Sequence, residues 1–325
     1  MTIKNETKQE PFLWIDFELN NFDQFTEVVH SWDVDFLQLD GGTFYSRLQQ
    51  MVLPEIQVAH THFDCHLDQK GASPADMWTF VIMDEDASMF KFNHTETLST
   101  STMVIYSPGY EINAVSYDGF HIYTFSIAHE HLQKLTKALG MDKIEEKLRE
   151  IDRVELDLDQ ADSLRIQLKD ILADAASLEH KVISSEGKDL LLNFVPVKFL
   201  KAIGDHIGCV NNKVIKEKHF LYLEVRAYMH THLYEPISIE KIAKKFNFSE
   251  RSLRNYFKEE LNTSPKQYLT ALRLTKIRGE LQVLKKEKGL IEKTARKFGF
   301  QHMGQFSKAY KYFFDELPSE TLKHI

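Results

Sequence analysis

Ten residues of this chain occur twice. Ile239–Phe248 (IEKIAKKFNF) and Ile291–Phe300 (IEKTARKFGF) agree at seven of ten positions, and an eighth exchanges Lys for Arg. A duplication of this kind constrains the fold more than composition does, because both copies must satisfy the same local geometry. Each copy has a small residue, Ala243 or Ala295, where a second helix can cross closely. Asn247 and Gly299 follow where the chain must turn sharply, a position that favours left-handed backbone. Ser249 suits the N-cap of the next helix. That helix covers Glu250 to Leu261 in the first copy and about His302 to Phe314 in the second. Leu253 with Phe257, and Phe306 with Tyr310, are four apart and turn one face inward. The pattern predicts two helix-turn-helix units.

The inward anchors fix what faces out. In the first unit these are Glu250, Arg251, Arg254, Asn255 and Lys258; in the second they are Met303, Gln305, Ser307, Lys308 and Lys311. Arginine, asparagine and glutamine are side chains that hydrogen-bond base edges in the major groove. Ser264 and Pro265 open a connecting helix expected to reach about Lys286. Some 20 residues at about 1.5 Å each give roughly 30 Å. Successive major grooves on one face of DNA lie about 34 Å apart, so one chain can reach two of them. Charge divides the same way. The net charge of −8 argues against a polyanion partner for the chain as a whole. From Lys216 onward, however, 22 Lys+Arg stand against 13 Asp+Glu, a net of +9, which leaves −17 in residues 1–215. A basic tail on an acidic body directs only the tail to nucleic acid.

Residues 12–127 read mostly as strands. Val34–Leu39, Met103–Tyr106 and Phe120–Phe125 alternate, and Asp40-Gly41-Gly42, Gly71–Pro74, Ser107-Pro108-Gly109 and Asp118-Gly119 are turn signals. Short strands so spaced indicate a small antiparallel barrel or sandwich. After Ala128 the period becomes helical. One amphipathic helix is expected over 161–180. A second is expected over 187–204, with Leu190, Leu191, Phe194 and Leu200 on its apolar side and Pro196 kinking it or starting a new turn. These helices either cover the barrel or pair with a twin subunit. The expected division is 1–204 for effector binding and dimerisation (barrel about 12–127, helices about 129–204), 205–217 for a linker, and 218–325 for the DNA-binding domain.

No run of about 18 apolar residues is present, the first ten residues are polar, and Cys65 and Cys209 stand 144 positions apart. A cytoplasmic protein without a disulfide framework is expected. No nucleophile elbow, phosphate loop or diagnostic acid/base pair occurs, so no enzymatic activity is expected. The sharpest local feature of the front half is His60-Thr61-His62-Phe63-Asp64-Cys65-His66. On a strand, His60, His62, Asp64 and His66 share one face. They then form a metal site, the polar wall of a pocket, or plain surface. Trp78, Phe80, Tyr106, Tyr110 and Tyr123 supply apolar walls, so the candidate effector pocket is His60, His62, His66 and these five.

The tail, about Phe220–Lys323, resembles the DNA-binding domain of AraC-type transcription regulators. The resemblance rests on IAKKFNFSERSLRNYFKEELNTSPKQYL, on Arg273-Leu274 and on ARKFGF. It implies base contacts from Arg251, Arg254 and Asn255, then from Gln305 and Lys308 with Ser307 and Met303, and phosphate contacts from Lys258 and Lys311. His302 and Gly304 depart from the family's usual Ser or Asp at the start of the last reading helix. The segment GFQHMGQF is similar to the variant in regulators of ethanolamine utilisation, and LPEIQV, GASPADMWTF and SPGYE follow in the order of that subgroup. The resemblance implies an α+β chain. Its front is a cupin-like β-barrel with flanking helices, and its tail is an all-α domain with two helix-turn-helix units joined by a linker helix. It implies a transcription activator that partners promoter DNA, RNA polymerase, a small-molecule effector and a second copy of itself, with no membrane partner. Ethanolamine and adenosylcobalamin are the ligands of that subgroup's namesake; no cofactor follows from this chain's own residues. Two rival readings remain: a metal-dependent cupin-like enzyme or metal sensor fused to the tail, and a regulator answering a fatty acid or other apolar effector.

Overall fold

The computed structural model describes residues 9–22, 24–25, 33–87, 90–93, 96–141, 144–206, 224–226, 228–235, 237–284, 287 and 289–322. Fourteen strands occur among them: β1 (Gln9–Pro11), β2 (Leu13–Leu19), β3 (Asp33–Gln38), β4 (Tyr45–Val52), β5 (Ile56–Asp64), β6 (Leu67–Ala72), β7 (Met77–Met83), β8 (Phe90–Phe92), β9 (Glu96–Leu98), β10 (Thr102–Tyr106), β11 (Glu111–Ser116), β12 (Phe120–Ala128), β13 (Arg153–Glu155) and β14 (Val182–Ser184). They form a seven-stranded sheet ordered β13-β10-β7-β12-β5-β4-β2, a five-stranded sheet ordered β3-β6-β11-β8-β9, and the pair β1-β14. This replaces the expected closed barrel with two open sheets, whose outer strands pair with no further strand among the described residues. A layer of large side chains, including Phe25, Phe63, Phe90, Phe92 and Phe120, lies between the sheets and holds them apart as layers.

The central strands of the seven-stranded sheet, β10, β7 and β12, are largely buried on both faces, while its edge strand β2 is mostly exposed. The sheet's other face is covered by helices α1 (His129–Ala138), α2 (Ile144–Glu150), α3 (Leu158–Ser177), α4 (Ser185–Asp189) and α5 (Val195–His206). α3 buries Leu164, Leu168, Leu172 and Ala175 at helical spacing. The expected single helix over 187–204 is interrupted. Leu190–Phe194 form a wide π turn, and Pro196 sits in the first turn of α5, where its missing N–H costs little. The wide turn rotates the stripe, so Leu191 and Leu192 are buried while Leu190 and Phe194 are exposed. The helices therefore cover the sheet. Most of the expected linker, 207–217, lies outside the described residues.

The C-terminal domain is all helix: α6 (Ile239–Lys245), α7 (Glu250–Leu261), α8 (Pro265–Val283), α9 (Leu290–Lys297), α10 (Met303–Phe314) and α11 (Pro318–Thr321). Ser264 caps α8, accepting from Gln267 N while the Gln267 side chain returns to the cap backbone. The helix stops at Val283, three residues short of expectation. Leu253, Phe257, Leu272, Ile277, Phe306 and Tyr310 belong to one core, and that core also takes in Leu37, Leu39 and Val115 of the N-terminal domain. The tail thus rests on the outer face of the five-stranded sheet.

Candidate nucleic-acid interface

Both units have the geometry their sequences require. Asn247 adopts φ +56° and Gly299 φ +86°. Just after them, Phe248 N donates to Ala243 O at 2.8 Å and Phe300 N to Ala295 O at 3.0 Å, closing each helix end. Ala243 and Ala295 are buried. A Cβ on Gly299 would meet Arg273 Nη1 at 3.3 Å, while Nη2 of the same guanidinium donates to Glu235 O at 2.9 Å. Arg273 thereby ties the linker helix to the second turn and to the segment before α6. Ser249 caps α7 through Ser252 N at 3.0 Å. His302, at the equivalent place before α10, makes no side-chain capping bond.

The reading faces follow. Arg251, Arg254, Asn255 and Lys258 are exposed on α7, as are Gln305, Lys308 and Lys311 on α10. Glu250 and Ser307 are half-buried, and Met303 packs partly against the domain core. Arg254 Nη2 is held by Glu250 Oε2 at 2.8 Å, an exposed pair one helical turn apart. The Lys258 side chain turns back toward Asn262 O at 3.4 Å.

The C-terminal ends of α7 and α10 are pinned to the N-terminal domain, by contacts the sequence does not announce. Lys91 donates from Nζ to Glu259 O at the end of α7. Tyr312 Oη donates to Asp40 Oδ1 at 2.8 Å, and Gln38 Nε2 to Phe313 O at 3.2 Å, at the end of α10. Beneath them Arg226 and Asp68 form a fully buried ion pair, and the Tyr268 hydroxyl donates to Asp68 at 3.1 Å. Burial pushes the Asp68 carboxyl up, and Arg226 and Tyr268 pull it back toward the charged form. These partners are 158 and 200 residues apart in sequence, so no local pattern could announce them.

The expected effector residues are dispersed. A cavity of about 90 Å³ lies between the two sheets, lined by aromatic and aliphatic side chains together with Gln50, Gln57, Thr61, Gln69, Thr124 and Ser126. Of the eight expected residues only Tyr106 lines it. Tyr110 packs at a tilt against Tyr106, with ring centroids 5.3 Å apart. Trp78, Phe80 and Tyr123 point the other way, into the core between sheet and helices. His60 and His62 share that opposite side of β5, as alternation requires. His66 does not, because β5 ends at Asp64; it stacks on Tyr117 at 4.7 Å, near the docked tail. The cavity parity was unreadable because both faces of the strands are buried. One signal was the pair Thr124 and Ser126, two small hydroxyl residues on one parity of β12, although His121 and Tyr123 give the other parity polar groups too.

A helix-turn-helix domain family matches residues 242–324. The XylDLEGF operon transcriptional activator of Pseudomonas putida is 29% identical over 158 residues, 49% of this chain and 48% of that protein. The chain spans about half the length of the curated relatives it matches. Among solved structures, a transcriptional regulator with an AraC-type DNA-binding domain from Chromobacterium violaceum is 30% identical. It covers 33% of this chain and 93% of its own, with a TM-score of 0.30. The AraC-like transcriptional activator CuxR aligns over 82% of this chain and 96% of its own at 15% identity, with a TM-score of 0.45.

Proposed function

We propose that this chain, a member of the AraC-type helix-turn-helix family by its C-terminal domain, is a transcription activator that grips promoter DNA with both units. The observation that carries this reading is the duplicated unit, each copy with its turn formed and its polar, basic face exposed. Arg251, Arg254 and Asn255 on α7, and Gln305 and Lys308 with Ser307 and Met303 on α10, are assigned to base edges; Lys258 and Lys311 are assigned to phosphates. α8, with 19 residues, is about 28 Å long and spaces the units for neighbouring grooves. Footprinting tests the reading. It should give two protected segments about 10 base pairs apart, with affinity falling steeply as salt rises. Protection of a single groove, or of none, would overturn it. Action on promoters places the protein in the cytoplasm beside RNA polymerase. Exposed Ile166, Leu190 and Phe194 on the helical layer support a homodimer, which light scattering would detect.

The effector assigned to the N-terminal domain is a small, uncharged, largely apolar molecule. No residue lining the cavity carries a formal charge, so an ammonium ligand such as ethanolamine finds no counter-ion there. The ethanolamine subgroup rests on Gly299–Phe306, a segment of the C-terminal tail, and on three short front segments, of which only Leu53–Val58 reaches the cavity, through Gln57. At about 90 Å³ the space is smaller than the ~150 Å³ cavity that admits benzene, so a ligand of that size must push the sheets apart. One of those sheets carries the DNA-binding domain. Thermal shift of the full chain against uncharged aromatic and aliphatic molecules, with ethanolamine as contrast, tests this. Stabilisation by ethanolamine alone would reverse the assignment.

A further inference from the structure

We infer that His60, Asp84 and His121 form a site for a divalent transition-metal ion, on the face of the seven-stranded sheet opposite the cavity. The three residues come from adjacent strands. β12 pairs with β5 and β7, so Tyr123 stands opposite both His60 and Ile82. Two residues along the same face are His121 on β12 and Asp84 just past β7, and Asp84 N donates to His121 O at 3.0 Å. One ligand atom from each of the three side chains lies within 4.8 Å of the others. His60 Nε2 is sealed from solvent and has no hydrogen-bond partner, while Asp84 Oδ2 stands 3.7 Å away. A buried ring nitrogen left without a partner is costly, and an ion between it and the carboxylate would satisfy both.

The surroundings hold the ligands in orientation, as metal sites require. Tyr123 stacks on His60 at 4.4 Å. The His62 ring stacks on His121 at 3.8 Å, while its Nε2 is engaged by Asp64 Oδ1 at 2.9 Å, so it supports the site from outside the ligand set. Two imidazoles and one carboxylate suit Zn²⁺ or Co²⁺ better than Mg²⁺ or Ca²⁺, which prefer oxygen alone, and water completes the coordination. The His60 and Asp84 side chains keep 18% and 23% of their surface exposed, so the site lies close to solvent although Nε2 itself is covered. His66, adjacent in sequence, is excluded because it leaves the strand. The site goes beyond the regulatory reading and stands or falls independently of it.

Metal binding by the full chain tests the site, with Zn²⁺ by calorimetry and Co²⁺ by visible absorption. One ion per chain is expected, with a Co²⁺ spectrum of mixed nitrogen and oxygen ligation. Affinity should fall at least tenfold in His121→Ala and in the isosteric Asp84→Asn, whose circular dichroism and melting without metal should match the parent. His302→Ala, on the remote tail, should bind as the parent does. Absence of saturable binding, or parental affinity in both His121→Ala and Asp84→Asn, would overturn the assignment.

Discussion

Arg254 illustrates how magnitudes decide a residue's role. Its guanidinium is paired with Glu250, but an exposed i,i+4 pair is worth only about 0.3–0.5 kcal/mol. A bidentate base contact discriminates by about 1–3 kcal/mol, so on the proposed reading DNA outcompetes Glu250 for the arginine. Arg254→Ala should therefore lose roughly that amount at one base pair of a selected binding site and keep its preferences elsewhere, as read by fluorescence anisotropy on single-position site variants. Unchanged affinity and preference would remove Arg254 from the reading set. Asp68 belongs to the opposite regime. It is completely buried against Arg226 and Tyr268, and removing one partner of such a pair typically costs about 3–5 kcal/mol, because a charge is left uncompensated. Asp68→Ala is expected to lose stability on that scale in urea denaturation, whereas the joint replacement Asp68→Leu with Arg226→Met should lose much less. Equal losses in the two proteins would show that shape, not charge pairing, holds the contact.

At the scale of elements, the turn into the second reading helix is the tightest local requirement. Gly299 has φ +86° and lies against the Arg273 guanidinium, so Gly299→Ala combines left-handed strain of about 1–2 kcal/mol with displacement of a staple. Urea denaturation should show at least that loss, while Asn247→Gly, at the same place in the first unit, should change stability by less than about 1 kcal/mol. A harmless Gly299→Ala would mean that the turn relaxes. The same locality explains what was legible in the sequence. The helix-turn-helix units, the capped linker helix and the helix over 158–177 each depend on residues within a few turns, so spacing alone located them. Strands were legible as strands, but their inward parity was not. Tyr123 and Phe125 face helices while Thr124 and Ser126 face the partner sheet, and both sides of β12 are buried. The break before α5 was half legible: Pro196 announced it, but the wide turn that moved Leu190 and Phe194 to the surface depends on how the helix meets the sheet.

For the whole molecule, the decisive geometry is a thin sheet with a small cavity on one face and the helix-turn-helix domain on the other. Phe36 and Gln69 line the cavity, while their neighbours Leu37 and Asp68 hold the tail. On the proposed reading, a ligand that spreads the sheets acts on the docked domain through single peptide units. His66 lies at this contact. Burial, aided by Lys91 and Lys258 and opposed by Asp40 and a backbone hydrogen bond to Leu261, pushes its pKa down to about 4. The ordinary value is near 6.5, so an undocked molecule takes up this proton first. The contribution of His66 to docking is then fully present above about pH 6.5 and is lost as pH falls toward 4. Small-angle scattering should report a larger radius of gyration at pH 5 than at pH 7.5, with helical content unchanged. His66→Gln should reduce that difference, and His230, desolvated beside Arg226 and Lys70 with its pKa also pushed down to about 4, accounts for the remainder. Gly41→Val works without titration: a Cβ at Gly41 would run into the Tyr312 carbonyl and ring, so this variant should be expanded already at pH 7.5. If opening frees the units to adjust their spacing on DNA, Gly41→Val should bind a two-groove site faster than the parent at pH 7.5. Equal rates in an expanded Gly41→Val would mean that the docked units are already placed for both grooves, and that the cavity must act on something other than DNA access.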